Sequence, residues 1–202
     1  FIKNNKTKFN VISKFNLKNI DNLQSSLKKL NQKRIFGMLV HDPSMIHNDN
    51  LEIIKKKLLN NKTYFQYFGA SINTVDDFKI IKKLKIFKIL QIPYNLIDNR
   101  WENILKKKFI IHARSVFLQG LLISNQSACP KNILDEFNII KKKLNFLTKK
   151  FNRYDVKDLL FSFVKSNKKI SKVIVGFDNL QQLKQMLFYM LRENFKYKEI
   201  KF

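Results

Sequence analysis

Between Lys88 and Ser124 the chain reads KILQIPYNLIDNRWENILKKKFIIHARSVFLQGLLIS, with polar, ligand-capable side chains directly at the ends of two apolar runs. Gln91 and Asn95 follow the first run, and Arg114 and Ser115 follow the second. A carboxamide such as that of Gln91 offers a donor and an acceptor together and can hold a ligand carbonyl or amide. An arginine at a strand end can lie flat on a heteroaromatic ring, and a serine followed by backbone amides can hold phosphate oxygens.

Other residues occupy comparable positions. Lys14 closes the β-compatible run FNVIS. A lysine there is an exposed cation, a salt-bridge or phosphate partner, or a charge that tunes a neighbour's pKa. His41 ends RIFGMLVH, where Asp42 and Pro43 break the run. Its chemistry is that of a general acid, base or carbonyl-orienting donor, against the plainer role of a satisfied structural histidine. In YFQYFGAS, Gly69 permits close backbone approach and Ser71 presents a hydroxyl just before a helix. In KVIVGFDNLQQL, Gly176 is expected at a strand end ahead of a helix from Leu180, where backbone amides and the helix N-terminus favour an anion. No GxGxxG, GxxxxGK or GxSxG occurs, which disfavours Rossmann, P-loop and α/β-hydrolase sites.

The elements that must position these residues are short apolar runs alternating with lysine-rich segments of helical period, the pattern of repeated βα units around a parallel sheet. Strands are expected near Phe9 to Lys14, Ile35 to His41, Tyr64 to Ser71, Ile89 to Ile92, Phe109 to Arg114 and Val173 to Gly176. Helices are expected over Asp21 to Leu30, Asn50 to Leu59, Val75 to Leu84, Arg100 to Lys107, Ile133 to Lys150, Val156 to Ser166 and Leu180 to Leu191. Asn73 or Thr74 can cap one helix and Asp155 another. Few glycines and prolines punctuate the chain and no linker divides it, so residues 1–202 are read as a single domain. Six strands fall short of an eight-stranded barrel, which typically needs about 250 residues.

Composition narrows the field. A chain of 202 residues that is 45% hydrophobic can build a core, and its apolar runs are too short to span a bilayer. One cysteine, Cys129, permits no internal disulfide, and there is no Cys/His spacing for a metal. A cytoplasmic location is the simplest expectation. The net charge of +25 suggests nucleic acid or an anionic surface. However, the lysine pairs and triplets at Lys55, Lys82, Lys106, Lys141, Lys149 and Lys168 are spread along the whole chain, as for a solvated surface rather than one binding face.

Taken in order, VISK at Lys14, MLVHDP at His41, YFGAS at Ser71, LQIPYNLIDNR at Gln91, HARSVFLQGLL at Arg114 and KVIVGFDNLQQL at Gly176 resemble the aldo/keto reductase family, most closely its bacterial branch with RSVFLQGLL at the seventh strand. The resemblance implies an α/β fold, a (β/α)8 TIM barrel that is incomplete, with about six of its eight βα units present and the first two missing. It also implies NADP(H) or NAD(H) as cofactor and a small-molecule carbonyl substrate, with no nucleic-acid or membrane partner. On this likeness Lys14 corresponds to the lysine that lowers the pKa of the family's tyrosine acid, and His41 to the histidine that orients the carbonyl. Ser71 and Gln91 correspond to residues holding the nicotinamide carboxamide, and Arg114 takes the place of the ring-stacking tyrosine. Ser115, Phe117, Gln119 and Gly120 belong to the loop along the pyrophosphate, followed by Gly176 and Gln182.

The departures shape the expectation. The family's aspartate and tyrosine would precede Lys14, and nothing from Phe1 to Ser13 stands for them, so the chain reads as N-terminally truncated and catalytically crippled as it stands. Ile72 replaces an asparagine, Gln182 stands where many members carry an arginine for the 2′-phosphate, and Met186 stands where an asparagine often reads adenine. A cofactor-binding barrel acting as a sensor or assembly partner is the alternative. A basic RNA- or membrane-associating protein is a third reading, resting on charge alone.

Overall fold

The computed structural model describes residues 9–16, 23–46, 51–98, 100–105 and 108–193. It forms two compact units. One comprises the described residues up to Ile92 with Lys108–Ile111, and the other comprises those from Pro93 to Leu105 and from His112 onward.

In the first unit β1 (Ile12–Phe15), β2 (Ile35–Val40), β3 (Phe65–Ser71) and β4 (Phe87–Pro93) lie side by side in chain order, each pair parallel. Parallel neighbours need a crossover. It is supplied by α1 (Leu23–Lys29), α2 (Leu51–Asn60) and α3 (Val75–Leu84). Parallel strands are buried on both faces, so β2 can be apolar nearly throughout, and Met38, Leu39 and Val40 are all buried. The register pairs Lys14 with Leu39, Val40 with Ala70 and Ser71 with Gln91, so the polar residues gather at the carboxyl ends of the strands.

Local sequence sets the boundaries of α3. Thr74 Oγ1 accepts from Asp77 N at 3.1 Å, while Asp77 Oδ2 accepts from Thr74 N at 2.9 Å and from Asn73 N at 2.8 Å. This reciprocal capping box satisfies amide groups that the first turn leaves unpaired. At the other end Lys85 adopts the left-handed conformation, φ 55°.

The second unit contains α4 (Glu102–Leu105), His112–Arg114 of β5 (Ile110–Arg114), α5 (Leu134–Lys150), α6 (Val156–Ser166), β6 (Lys172–Val173) and α7 (Leu180–Leu191). β5 pairs parallel with β6, His112 opposite Lys172 and Ala113 opposite Val173. The core of this unit is built on Trp101, Leu144, Leu160 and Val164. Tyr94 stacks on Phe163 with centroids 5.7 Å apart, and its hydroxyl accepts from Asn167 Nδ2 at 2.9 Å. That bond is what allows a phenol to be fully buried.

The expected helices at Val75–Leu84, Val156–Ser166 and Leu180–Leu191 have those bounds, and the long helix begins at Leu134, one residue later than expected. Two expectations need correction. The helix placed at Arg100 to Lys107 is one turn, Glu102–Leu105, with Lys106 and Lys107 outside the described residues. The strand placed at Val173 to Gly176 is Lys172–Val173, so Gly176 lies beyond the strand rather than at its end. Asp21, Asn22 and Asn50 of two other expected helices also lie outside the described residues.

The packing of β3 between β2 and β4 depends on a missing side chain. A Cβ on Gly69 would fall 2.2 Å from Leu39 Cδ2 and 2.7 Å from the Ile89 carbonyl oxygen. The leucine could turn away, but the backbone oxygen cannot move without shifting β4. Gly69→Ala is therefore expected to destabilise the protein by about 1–3 kcal/mol, the usual cost of overpacking a core. Chemical denaturation would show this as a lower midpoint with an unchanged slope.

Candidate functional site

The carboxyl ends of the strands carry two groups of polar residues, one in each unit. In the first unit, Lys14 Nζ donates to Ser71 Oγ at 3.3 Å, and Ser71 Oγ donates to Gln91 Oε1 at 3.3 Å. Ser71 and Gln91 are buried register partners, and the Gln91 carbonyl accepts from Ile72 N at 3.0 Å. A lysine, a hydroxyl and a carboxamide thus form one polar chain over apolar strands. Lys14 itself is exposed, and β1 runs one residue past it to Phe15. His41 lies just beyond β2 with its ring exposed, its backbone N–H donating to Phe15 O at 2.9 Å. This hydrogen bond extends the β1–β2 pairing and keeps the imidazole at the strand ends.

In the second unit, Arg114 ends β5 half-buried, and burial lowers its pKa from the ordinary arginine value. Its Nη1 donates to Ser115 Oγ at 3.1 Å. Ser115, Leu118, Gln119 and Gly120 all have positive φ (57°, 48°, 55° and 90°), so the chain after β5 turns repeatedly through the left-handed region. Within these turns the amides of Leu118, Gly120, Leu121 and Leu122 donate to the carbonyls of Ser115, Phe117, Leu118 and Phe117, so the loop is held by its own backbone bonds. Asn95 holds this loop in place. It is fully buried, accepts from Ile97 N and Asp98 N at 3.0 and 3.1 Å, and donates to Ser115 O at 3.2 Å. Its amide is therefore committed within the protein, and its part is to position Ser115.

The same loop forms one wall of a cavity of ≈ 510 Å³. Ser115, Phe117, Gln119 and Gly120 line one side, and Gly176 and Gln182 line the other, so these six sequence-predicted residues face a common space. Arg114 is adjacent to the loop but is not part of the lining. A Cβ on Gly176 would meet nothing within 4 Å. The space beside this exposed, cavity-lining glycine is therefore open. Gln182 is partly committed: its backbone N–H donates to the Asn179 cap at 2.9 Å, and its Oε1 accepts from Asp178 N at 2.8 Å. Only its Nε2 is left to face a ligand.

Lys157, Asp178, Gln185 and Met186 also line the cavity. Of these, Lys157, Asp178 and Gln185 were missed by sequence reasoning as site residues, and Asp178 is the one acid in the lining. Lys157 supplies a cation, its Nζ donating to Gln185 Oε1 at 3.3 Å, while Gln185 Nε2 donates to Asp155 Oδ2 at 3.4 Å. The available signal was the position of Lys157 in the first turn after the Asp155 cap, but nothing separates it from the chain's other lysines. Among the described residues there is no group of His, Cys, Asp and Glu that could hold a metal ion, and no helix long and apolar enough to cross a membrane.

A cavity of this volume is in the range of small-molecule and cofactor sites. Its backbone loop, open glycine, lysine and amides suit a phosphate-bearing ligand.

No protein-family model matches the sequence, and no curated protein matches it. The fold does match solved structures. An aldo-keto reductase from Bacillus halodurans in its holo form superposes with a TM-score of 0.81 at 15% identity, covering 98% of this chain and 72% of that one. Its apo form gives the same TM-score at 16% identity, covering 98% and 71%. What is shared is the fold. The chain is an α/β protein with the architecture of an incomplete (β/α)8 barrel, as expected from the alternating runs.

β5 also carries a pH-sensitive element. His112, two residues before Arg114 on the same face, is buried opposite Lys172. Burial, and then the Lys172 ammonium, lowers its pKa from the ordinary value. The unfolded chain, titrating near about 6.5, therefore takes up the proton more readily than the folded protein. The stabilisation from a neutral His112 is complete above that pH and is lost as pH falls towards the depressed folded value. Thermal midpoints are expected to drop between about pH 7.5 and 5.5, and His112→Gln to reduce that slope. An unchanged slope in the variant would remove His112 as its source.

Proposed function

We propose that this chain is an aldo/keto reductase-like oxidoreductase that binds NADP(H) or NAD(H) and reduces an aldehyde or ketone. The observation that carries this reading is the convergence of Ser115, Phe117, Gln119, Gly120, Gly176 and Gln182, each placed on the cofactor by sequence resemblance, around one cavity of ≈ 510 Å³. Residues distant in sequence and chosen for one ligand would not be expected to share a cavity by chance. The reductase fold of the structural neighbours adds independent support.

The cofactor's chemistry is hydride transfer, and the protein's contribution is to bind, orient and polarise. On this reading the left-handed loop and Lys157 of the second unit take the phosphates, and Gly176 lets the ligand approach the backbone. In the first unit Ser71 donates its proton to Gln91 Oε1, so the donor offered to a carboxamide is the Gln91 Nε2 amide. Lys14, bonded to Ser71, adds a positive charge there. His41 is the group assigned to the substrate carbonyl, as an orienting donor. The tyrosine acid implied by the resemblance has no counterpart from Phe1 to Ser13, so these 202 residues are expected to bind cofactor better than they turn over carbonyls.

Titration of NADPH and NADH fluorescence against the protein tests the reading. Saturable binding is expected with one or both, and Gly176→Val should weaken it at least tenfold, because it adds bulk to a cavity-lining position where a Cβ meets no protein atom. No binding of either, or binding indifferent to Gly176→Val, would overturn the cofactor assignment. Any aldehyde-dependent oxidation should fall by orders of magnitude in His41→Ala with cofactor binding retained. Binding without turnover of any aldehyde or ketone would favour the sensor reading.

A further inference from the structure

We propose a second ligand site in the first unit, at the amino ends of the strands, that takes a phosphorylated aromatic small molecule of nucleotide type. A pocket of ≈ 280 Å³ opens between the end of α3, the start of β4 and the residues just before β5. Its apolar lining is Ile81, Phe87 and Phe109, of which Phe109 is the more exposed, and its rim is Lys82, Lys85, Lys88 and Lys108. Phe109 is itself propped edge-on against Phe78, with centroids 5.8 Å apart and planes at 81°, so the floor is firm.

Three observations favour a ligand over an ordinary solvated face. First, the lining contains no acid, and none of the ion pairs seen among the described residues involves these four lysines. The carboxyl end of α3 contributes roughly half a negative charge, which one lysine would offset, leaving a clear positive excess. Second, the lysines surround a concave aromatic surface, whereas a solvated lysine face needs no such floor. Aromatic rings offer a stacking surface, and lysines act as point charges toward phosphate. Third, Lys85 holds φ 55° and ψ 13° at the end of α3, where glycine is the unstrained choice. The strained position bears one of the rim charges.

The size sets the class. At ≈ 280 Å³ the pocket is just under the usual small-molecule range, enough for a ring with its phosphates outside among the rim lysines. It lies at the ends of β4 and β5 away from Gln91, so it is separate from the Lys14–Ser71–Gln91 group.

ADP is the probe, followed by calorimetry at low and moderate salt in Gly176→Val protein, so that the second unit's cofactor cavity does not contribute. Saturable binding is expected, weakened at least tenfold by Lys85→Glu with Lys88→Glu and at least threefold by Phe109→Ala, with inorganic pyrophosphate at least tenfold weaker than ADP. NADPH quenching should be unchanged in the lysine double variant. Lys85→Gly is the folding control: it should raise the thermal midpoint by relieving the left-handed lysine and still weaken ADP. The proposal is overturned if ADP does not bind, if the double variant binds it like the parent, or if pyrophosphate matches ADP. Loss of ADP binding in Gly176→Val alone would likewise overturn it, by assigning the ligand to the second unit's cavity.

Discussion

The second unit is organised around a buried carboxylate. Asp158 on α6 is inaccessible to solvent, and a charge in that position must be fully satisfied to be tolerated. Its oxygens accept from Ser162 Oγ and Tyr154 N, both at 2.9 Å, and Arg192 and Arg153 stand at 2.8 and 3.8 Å. Arg192 follows α7 directly, so the pairing fixes the end of α7 against α6. One turn earlier, Tyr189 donates to Asp155 Oδ2 at 2.5 Å, and burial with that carboxylate raises the phenol well above its ordinary pKa. Lys165 closes the arrangement by donating to the carbonyls of Tyr189, Met190 and Arg192. Lys157, Gln182 and Gln185 can form stable cavity walls because the helices bearing them are held together in this way.

A related constraint explains how a chain with 40 Lys and Arg against 15 Asp and Glu holds together. There are too few carboxylates to pair every cation, so several cations bond backbone carbonyls instead. Lys141 reaches Leu122 O and Ser124 O, Arg34 reaches Phe65 O, and Arg153 reaches Glu193 O. Charge-assisted bonds of this kind satisfy carbonyls left free at helix ends and in loops. The scarce acids are concentrated where they act twice: Asp77 and Asp158 each receive backbone amides at a helix start while buried.

How much of this was legible in the sequence depended on whether a residue acts locally. The bounds of α3 and α6 could be read because Thr74 and Asp155 cap the helix that immediately follows each of them, whereas the Asn179 cap of α7 was not singled out. β6 could not: KVIV has the composition of a full strand, yet only Lys172 and Val173 pair as strand residues, and the backbone N–H of Ile174 makes a last bond to Ala113 O at 2.8 Å. Asn95 was readable as a polar residue at a strand end, but not as one whose partners come from two loops. Lys157 was hidden by composition, since a cation carries little information in a chain so rich in them. The loop after β5 was recognisable only through resemblance, because left-handed Ser115, Leu118 and Gln119 leave no signature of the kind glycine does.

The four glycines show where the protein's own needs stop. Gly69 is required by the Ile89 carbonyl, and at Gly37 a Cβ would fall 2.9 Å from Ile89 Cδ1, so β4 accounts for both. Gly120 is required by its backbone, at φ 90°. Gly176 has neither reason: its φ is ordinary for any residue, and space is open around it. Glycine carries a conformational-entropy cost relative to other residues, so a position where nothing in the protein requires it invites a partner outside the protein. At Gly176 that partner would enter the cavity bounded by the loop from Ser115 to Gly120. On the proposed reading, the open side of Gly176 is where a cofactor would meet the backbone.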